Sequence, residues 1–252
     1  MLYTIPMRLE GKQVLITGAA HRMGAAAAIA CAAAGADIIL HYHSSQQQAA
    51  ETAAHIEELG RRVVQVQGDF TKPNSPEEIL EKADAEGMSP HILINSASIY
   101  PRSTWDNMSF EELSESYLIN TYAPLALSRA FAKSRNPESV IQVLDARMVD
   151  YDSKHYAYHL SKRSLHDITR MLAVELAPAI RVNGIAPGII LPDKENDPRL
   201  LEKYKAGTLL QRIGRVEDYT QAVLFLSSNS FVTGQILFID GGRHMKGRMY
   251  GT

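Results

Sequence analysis

A tyrosine and a lysine four residues apart, Tyr158 and Lys162 in YHLSK, form the pair in this chain best suited to proton transfer. On a helix, residues i and i+4 share a face, so the ammonium would lie beside the phenol. A neighbouring positive charge favours the ionised phenol, so we predict that Tyr158 gives or takes a proton near neutral pH. Of the eleven tyrosines, only this one has a lysine four residues on. Such a pair also arises by chance, so the prediction depends on a cofactor site beside it.

Short apolar runs alternate with longer helical stretches along the whole chain. This alternation predicts one α/β domain over residues 1–252, with a doubly wound parallel sheet of about seven strands and helices on both faces. The predicted strands are 13–18, 36–42, 62–67, 91–96, 139–145, 180–186 and 235–240. The predicted helices cover about 22–34, 45–59, 76–86, 109–134, 155–177 and 216–228. The segment at about 188–214 has no strand periodicity and is predicted to be a substrate loop.

Composition excludes several classes of function. A net charge of −2 and a pI near 6.5 give no basic surface for nucleic acid or an anionic membrane. No apolar run reaches the ~18 residues that span a bilayer, and the opening residues do not form a signal peptide. The single cysteine, Cys31, excludes an intrachain disulfide and is predicted to be a buried helix residue. We therefore expect a cytoplasmic protein without nucleic-acid or membrane partners.

The first predicted strand runs directly into TGAAHRMG and then a helix. In a doubly wound sheet this is where backbone N–H groups at a helix N-terminus meet a pyrophosphate. Gly18 and Gly24 would allow close approach, and the turn between them contributes His21, Arg22 and Met23. Arg22 takes the place of the middle glycine of the usual TGxxxGxG pattern, so the glycine motif alone is a weak signal.

The second strand ends in HYHSS, without the carboxylate that sites for NAD use to hold the ribose hydroxyls. Histidines and hydroxyls accept a 2′-phosphate without charge repulsion. We therefore predict NADPH as the cofactor, contacted by His41, Tyr42, His43 and Ser44. Packing of the two histidines is the plain alternative, and a metal site would need ligands that the sequence does not supply.

Polar and small residues follow the third and fourth strands as well. Asp69 and Phe70 come after strand three, and Asn95, Ala97 and Ser98 come at the end of strand four. In open parallel sheets ligands bind at these carboxyl ends, so we predict that all five contact the cofactor. Asp69 suits an adenine amino group.

These motifs, with Asn120 in LINTYAP, the APG of 186–188 and VTGQILFIDGG, resemble the short-chain dehydrogenase/reductase superfamily, which has a Rossmann-type fold. The arginine in the glycine turn, LHYHSS, NSASIYP and an aspartate in place of the catalytic serine are most similar to the bacterial pteridine reductases. That aspartate is Asp145 in VLDA.

The resemblance implies roles for several residues. Tyr158 and Lys162 would be the catalytic pair, with Lys162 also binding the nicotinamide ribose. Asn120 would hold a water in a proton relay. The loop Pro187, Gly188 and Ile189 would contact the cofactor. A pterin would lie between the nicotinamide and Tyr100, touched by Arg22 and Ser98, and the protein would be a homotetramer.

The chemistry of Asp145 favours the same interpretation. Reducing a C=N bond of a pterin needs a proton at nitrogen as hydride reaches carbon, and a carboxylic acid is a stronger donor than serine. We predict an NADPH-dependent reductase of dihydropterins or dihydrofolate. The alternatives are a carbonyl reductase acting on a ketone, sugar or oxoacyl thioester, and a catalytically silent NADPH-binding sensor or scaffold.

Two histidines one turn apart, His155 and His159, flank Tyr158. They lack the glutamate and third ligand of a helical zinc site. We therefore predict no metal and expect these histidines to line a helix face or a subunit contact.

Overall fold

The apolar runs of the sequence form seven parallel strands in the computed structural model, which describes residues 9–150, 153–191 and 198–246. The strands lie in one sheet in the order β3-β2-β1-β4-β5-β6-β7. They are β1 (Gln13–Ile16), β2 (Asp37–Tyr42), β3 (Val63–Gln67), β4 (Ile92–Asn95), β5 (Ser139–Val143), β6 (Arg181–Pro187) and β7 (Ile236–Ile239). The order reverses between β1 and β4, which is where such sheets bind ligands. The predicted fold class is confirmed.

Helices connect the strands and cover both faces. They are α1 (Arg22–Ala33), α2 (Gln46–Glu58), α3 (Ser75–Ala85), α4 (Phe110–Tyr117), α5 (Ala123–Phe131), α6 (Tyr156–Glu175), α7 (Pro198–Ala206) and α8 (Val216–Ser228). A π-helical segment, Leu118–Tyr122, joins α4 to α5, so the helix predicted at 109–134 is continuous but locally widened. It begins at a capping box in which Ser109 and Glu112 satisfy each other's backbone N–H groups.

Alternate residues of each central strand pack against different helices. In β1, Val14 and Ile16 belong to the core beneath α1, α2 and α8, whereas Leu15 belongs to the core beneath α3, α5 and α6. Strands that are buried on both faces are nearly continuous apolar runs, which is why they could be predicted from the sequence. The polar residues that follow the carboxyl ends of the strands are left to form a site.

The almost purely alanine helix α1 lies close on the sheet. Gly24, Ala27, Ala28, Cys31 and Ala32 form its buried face. Burial raises the pKa of the Cys31 thiol to about 12, so this cysteine stays protonated at neutral pH. The prediction that Cys31 is a buried helix residue is confirmed.

The predicted loop at about 188–214 contains one helix, α7, that periodicity did not reveal. Residues 192–197 of this segment lie outside the described residues. In the part of the chain that the structure describes, no helix is both long enough and apolar enough to cross a membrane.

Candidate active site

Two glycines shape the turn between β1 and α1. Gly18 has a φ of +65°, and a Cβ there would lie 2.9 Å from the Cα of Ala97. A Cβ on Gly24 would collide with the carbonyl oxygen of Gly18. The first turn of α1 carries no acidic residue. The bare backbone and the positive end of the helix dipole therefore suit a pyrophosphate at the predicted place.

Arg22 begins α1 with a φ of +54°, a left-handed conformation that glycine adopts more easily. This is the position at which the usual motif has its middle glycine, so the backbone retains the glycine conformation although the side chain has changed. The guanidinium donates to the carbonyl oxygen of Leu191 over 2.8 Å. Arg22 thus connects the phosphate turn to the segment after β6.

A cavity of about 490 Å³ lies above the carboxyl ends of β1 to β4. Most residues predicted to bind the cofactor line it, namely Gly18, His21, Arg22, Met23, Gly24, His41, Tyr42, His43, Ser44, Asp69, Phe70, Ala97 and Ser98. Residues missed from the sequence also line it, namely Ala20, Ser45, Thr71, Ser96, Ile99, Glu115 and Ile119. The first five are direct neighbours of predicted residues. Ile119, in the π-helical segment, is the neighbour of Asn120 in LINTYAP, whereas Glu115 comes from α4 and no local motif marks it.

The ring of His41 is buried beneath the cavity. Its Nδ1 accepts a hydrogen bond from the N–H of Gly18 over 3.2 Å, and its Nε2 lies 3.3 Å from the carbonyl oxygen of Gly68. The tautomer protonated at Nε2 satisfies both contacts. Burial lowers the pKa of His41 to about 4, so the ring is neutral at pH 7. His41 supports the phosphate turn, and the expectation that its ring nitrogens meet a 2′-phosphate is corrected because both are engaged by backbone.

The exposed end of the cavity holds His43 and Asp69. The imidazole Nε2 of His43 lies 3.7 Å from Oδ1 of Asp69, and the His43 side chain is 64% exposed. Hydrogen bonds from the hydroxyl and backbone N–H of Thr71 lower the pKa of Asp69. The Asp69 carboxylate is therefore ionised at neutral pH and is an acceptor, as an adenine amino group requires. His43 pairs with Asp69, and the exposed remainder of its side chain is accessible to an anion from solvent.

The end of β4 is organised by a residue that was not predicted. Thr17 is buried, and its hydroxyl accepts hydrogen bonds from the backbone N–H groups of Ser96 and Ala97. The side chain of Asn95 points the other way and donates toward Ser128 on α5 over 3.4 Å. The predicted contact between the Asn95 side chain and the cofactor is therefore corrected, because successive side chains of a strand face opposite sides.

Asn120 is fully buried in the π-helical segment. Its Oδ1 accepts from the hydroxyl of Ser98 and the N–H of Ile99, over 3.0 and 2.9 Å. Its Nδ2 donates to the carbonyl oxygen of Ile99 and to the hydroxyl of Ser161, each over 3.0 Å. These four bonds exhaust the capacity of a carboxamide. The expectation that Asn120 holds a relay water is corrected for its side chain, which instead joins the loop after β4 to α6.

The hydroxyl of Tyr158 donates a hydrogen bond to Oδ2 of Asp145 over 2.8 Å. The other carboxylate oxygen, Oδ1, accepts from the backbone N–H of Arg147 over 2.6 Å and caps the short 3-10 turn that follows β5. Burial, followed by the charge of Asp145, raises the pKa of Tyr158 well above its ordinary value. The prediction that Lys162 makes this phenol ionise near neutral pH is therefore wrong in this arrangement. Tyr158 is a protonated donor.

Lys162 is buried behind the tyrosine. Its Nζ donates to the carbonyl oxygen of Val143 over 2.8 Å and lies 5.9 Å from the centre of the Tyr158 ring. Burial lowers the pKa of Lys162 to about 8, against the opposing effect of Asp145. Spacing on α6 brings Lys162 and Tyr158 to one face, as predicted, with the ammonium over the Tyr158 ring.

Tyr100 lies at the mouth of the site, 53% exposed. Its ring centre is 4.5 Å from that of Tyr158, with the two planes nearly perpendicular. The structure thus brings the predicted stacking residue next to the Tyr158–Asp145 pair.

The loop after β6 is held closely against the end of β7. The N–H of Gly188 donates to the carbonyl oxygen of Ile239 over 2.9 Å, and a Cβ on Gly188 would come within 2.8 Å of Asp240. The next residue, Ile189, accepts a hydrogen bond from the N–H of Gly214. Pro187, Gly188 and Ile189 do not line the cavity described above, so their contact with the cofactor stays a prediction.

Comparison with known proteins places these features in a family. The family model described as enoyl-(acyl carrier protein) reductase, a short-chain dehydrogenase model, matches residues 18–244. The chain belongs to the short-chain dehydrogenase/reductase family. It is an NAD(P)-dependent oxidoreductase by that membership.

Relatives within the family act on different substrates. The chain is 30% identical to L-rhamnose 1-dehydrogenase (NAD(P)(+)) from Sphingomonas sp. (strain SKA58), over 94% of this chain and 98% of that one. It is 26% identical to dihydromonapterin reductase from Enterobacter sp. (strain 638), over 71% and 76% of the two chains. Among solved structures, FolM alternative dihydrofolate reductase 1 from Brucella canis, complexed with NADP, superposes with a TM-score of 0.86 at 27% identity, covering 95% of this chain and 97% of that one.

Among the described residues, no group of three or more histidine, cysteine, aspartate or glutamate side chains is arranged to hold a metal ion.

Proposed function

We propose that the protein is an NADPH-dependent pteridine reductase that converts dihydropterins or dihydrofolate to their tetrahydro forms. The observation that carries the proposal is the aspartate at position 145, hydrogen bonded over 2.8 Å to the hydroxyl of Tyr158. A carboxylate beside a protonated phenol forms a pair of groups that can move a proton toward a ring nitrogen. A serine there would orient a carbonyl oxygen but would not place a carboxylate against the phenol.

The choice of NADPH as the cofactor is supported by the charges at the glycine turn and at the end of β2. When bound, NADPH supplies the hydride. The glycine turn and the N-terminus of α1 would hold its pyrophosphate. The exposed His43 and Ser44 would meet a 2′-phosphate at the carboxyl end of β2, an end that carries no acidic residue of its own, although Asp69 after β3 lies 3.7 Å from His43. The solved FolM relative, which was complexed with NADP, supports the same choice.

The choice of a pterin as the substrate is supported by the residues at the mouth of the site. Tyr100 would stack on the flat pterin, and Arg22 and Ser98, which both line the cavity, would contact both ligands. Tyr158 would give its proton to the substrate from a position fixed by Asp145. The amide of Asn120 would hold Ser98 and α6 in register, and Lys162 would hold the ribose and favour release of the phenolic proton.

A second function is favoured by one observation. L-rhamnose 1-dehydrogenase from Sphingomonas is 30% identical over nearly the full length, so oxidation of a sugar hydroxyl, or reduction of the corresponding carbonyl, is the competing activity. Its chemistry needs no carboxylic acid beside the tyrosine, which is why we place it second.

We propose that the protein self-associates as a homotetramer, as the family resemblance implies. The outer face of α6 supports this, because Met171 and Val174 are 65% and 77% exposed and lie one turn apart. Light scattering of the wild type and of Val174→Lys tests it. A tetramer that the lysine weakens is expected, and a wild-type monomer would contradict it.

A substrate panel tests the proposed function. Purified wild-type protein is assayed for NADPH oxidation with dihydrobiopterin, dihydromonapterin and dihydrofolate, and for NAD(P)+ reduction with L-rhamnose. We expect at least one dihydropterin or dihydrofolate to give the highest kcat/KM. Turnover of the sugar alone would replace the proposal with the second function, and no turnover of any substrate would favour a silent NADPH-binding protein.

A further inference from the structure

The imidazole of His155 lies flat against the ring of Tyr100. The ring centres are 3.9 Å apart and the planes differ by 15°. Tyr100 also meets Tyr158 nearly at right angles, and Tyr158 is bonded to Asp145. His155 is therefore the outer end of a chain of contacts that leads to the proton-donating pair.

His155 is the N-cap residue of α6, yet its side chain makes no capping bond. That work is done by Ser103, a fully buried residue whose hydroxyl accepts from the N–H of Ala157 and whose carbonyl oxygen accepts from the N–H of Tyr156. A third bond, from the N–H of Ser103 to the carbonyl oxygen of Lys154, anchors the same loop. The hydrogen bonds of Ser103 thus fix the start of α6, so helix capping does not explain why the His155 imidazole lies against Tyr100.

The loop that carries Tyr100 is anchored on both sides of this residue. On one side Asn120 holds the backbone of Ile99, and on the other Ser103 is bonded to the start of α6. The Tyr100 residue itself is 53% exposed, so burial in the core does not set its ring orientation. A ring exposed to this extent rotates unless a neighbour holds it. The neighbour that lies against its face is His155.

The stack, rather than a hydrogen bond, dominates this contact. The Tyr100 hydroxyl lies 3.0 Å from Nδ1 of His155. The lone pair of an imidazole nitrogen lies in the ring plane, so a hydroxyl that approaches in a face-to-face stack meets it at a poor angle. Aromatic stacking does not need that bond.

We propose that His155 is a positioning residue that holds Tyr100 as a flat platform for the substrate ring. This inference rests on the proposed function, since it assigns Tyr100 to substrate stacking. The imidazole covers one face of the Tyr100 ring. The uncovered part of the Tyr100 ring lies beside Tyr158, and a planar heterocycle would have to lie there to receive the Tyr158 proton. His155 would act on substrate affinity through Tyr100 and would not touch the reacting atoms.

Steady-state kinetics of His155→Ala and His155→Phe with dihydropterin test the proposal. Loss of one aromatic stack corresponds to a roughly threefold to tenfold change in an equilibrium constant. His155→Ala is expected to raise the KM for dihydropterin by about that factor, with kcat and the KM for NADPH nearly unchanged. His155→Phe, which keeps the stack without a ring nitrogen, is expected to restore the wild-type KM. The control is His166→Ala, which removes an imidazole paired with Asp167 on the surface of the same helix.

A second readout separates this inference from the proposed function. Crystal structures of wild type and His155→Ala, without substrate, are expected to show one orientation of the Tyr100 ring in the former and several in the latter. An unchanged single orientation in His155→Ala, or a His155→Phe variant as impaired in KM as His155→Ala, would overturn the inference. If the wild type turns over no pterin, the proposed function fails, and the ring orientation still decides the role of His155.

Discussion

The hydroxyl of Tyr158 and the carboxylate of Asp145 are joined by a 2.8 Å hydrogen bond in which the tyrosine is the donor. Asp145 is held from the other side by the backbone N–H of Arg147, so the carboxylate cannot turn away without losing the cap of the turn that follows β5. The phenolic proton of Tyr158 therefore has a fixed direction, toward Oδ2 of Asp145.

Removal of the phenolic oxygen is expected to stop catalysis without unfolding the protein. Tyr158→Phe deletes the proton donor but keeps the buried ring, so kcat for dihydropterin should fall by ~10²–10⁴-fold while the Kd for NADPH changes little. Fluorescence titration of NADPH and steady-state kinetics measure the two quantities. Tyr156→Phe, two residues away, is the matched control. Wild-type turnover in Tyr158→Phe would show that another group donates the proton.

The activity is expected to fall as the pH rises through about 8, the value to which burial lowers the pKa of Lys162. Above this pH the ammonium loses the positive charge with which it would hold the ribose and favour release of the phenolic proton. A profile of kcat/KM against pH reports this group in the free enzyme. Lys162→Arg keeps the charge at all these pH values, so any residual activity in that variant should lack the falling limb. A limb that persists unchanged there would assign the decline to another group.

Burial of Lys162 also affects stability, with the sign set by its lowered pKa. The unfolded chain binds the lysine proton more tightly than the folded chain. Between about pH 8 and the ordinary pKa of lysine, Lys162 should therefore increase the free energy of unfolding as the pH rises. Lys162→Met should lack this contribution. Denaturant melts of both proteins across that range provide the check, and parallel pH profiles would count against it.

The cofactor preference is expected to depend on the end of β2. Wild type should have a higher kcat/KM with NADPH than with NADH, and His43→Asp should reduce the ratio by about tenfold or more, because a carboxylate would repel the 2′-phosphate. The neutral change His43→Gln serves as the control. A wild-type protein that uses NADH equally well would remove the basis for this assignment.

Asn120 is expected to matter for stability as well as for activity. Asn120→Ala removes the acceptor of the Ile99 N–H and one hydrogen bond each from the Ile99 carbonyl oxygen and the Ser161 hydroxyl. A buried polar group that loses its partner costs ~1–3 kcal/mol. The free energy of unfolding should fall by roughly 2–4 kcal/mol. Ser98→Ala, which removes one donor to the same amide, should cost much less. An Asn120→Ala variant as stable as wild type would mean that the Asn120 amide does not hold the loop after β4 to α6.

Much of this architecture could be predicted because it depends on local patterns. Strands buried on both faces are apolar runs, and the carboxyl ends of parallel strands meet at one edge, so His43, Asp69 and Ser98 could be placed together from their order alone. Tyr158 and Lys162 share a helix face because of the helical period.

The remainder depends on side-chain directions and distant contacts that spacing does not encode. Nothing local shows that His41 turns inward to Gly18, or that the Asn120 amide is consumed by four protein groups. The raised pKa of Tyr158 follows from burial and from Asp145, thirteen residues away, rather than from the lysine one turn along the helix. The hydroxyls of Ser103 and Thr17 accept hydrogen bonds from backbone N–H groups that are distant in the sequence, and no local pattern predicts these contacts.

The measurement that tests the central claim most directly is the kcat for dihydropterin, with saturating NADPH, of Asp145→Ser and Asp145→Asn. Both variants keep an oxygen that can accept the Arg147 N–H but lack the carboxylate that accepts from Tyr158, so kcat should fall by ~10²–10⁴-fold while NADPH binding persists. Asp167→Ser, an exposed aspartate on α6, is the control. A gain of carbonyl reduction in Asp145→Ser would further support the assignment. An Asp145→Ser protein that reduces dihydropterin with undiminished kcat would contradict it.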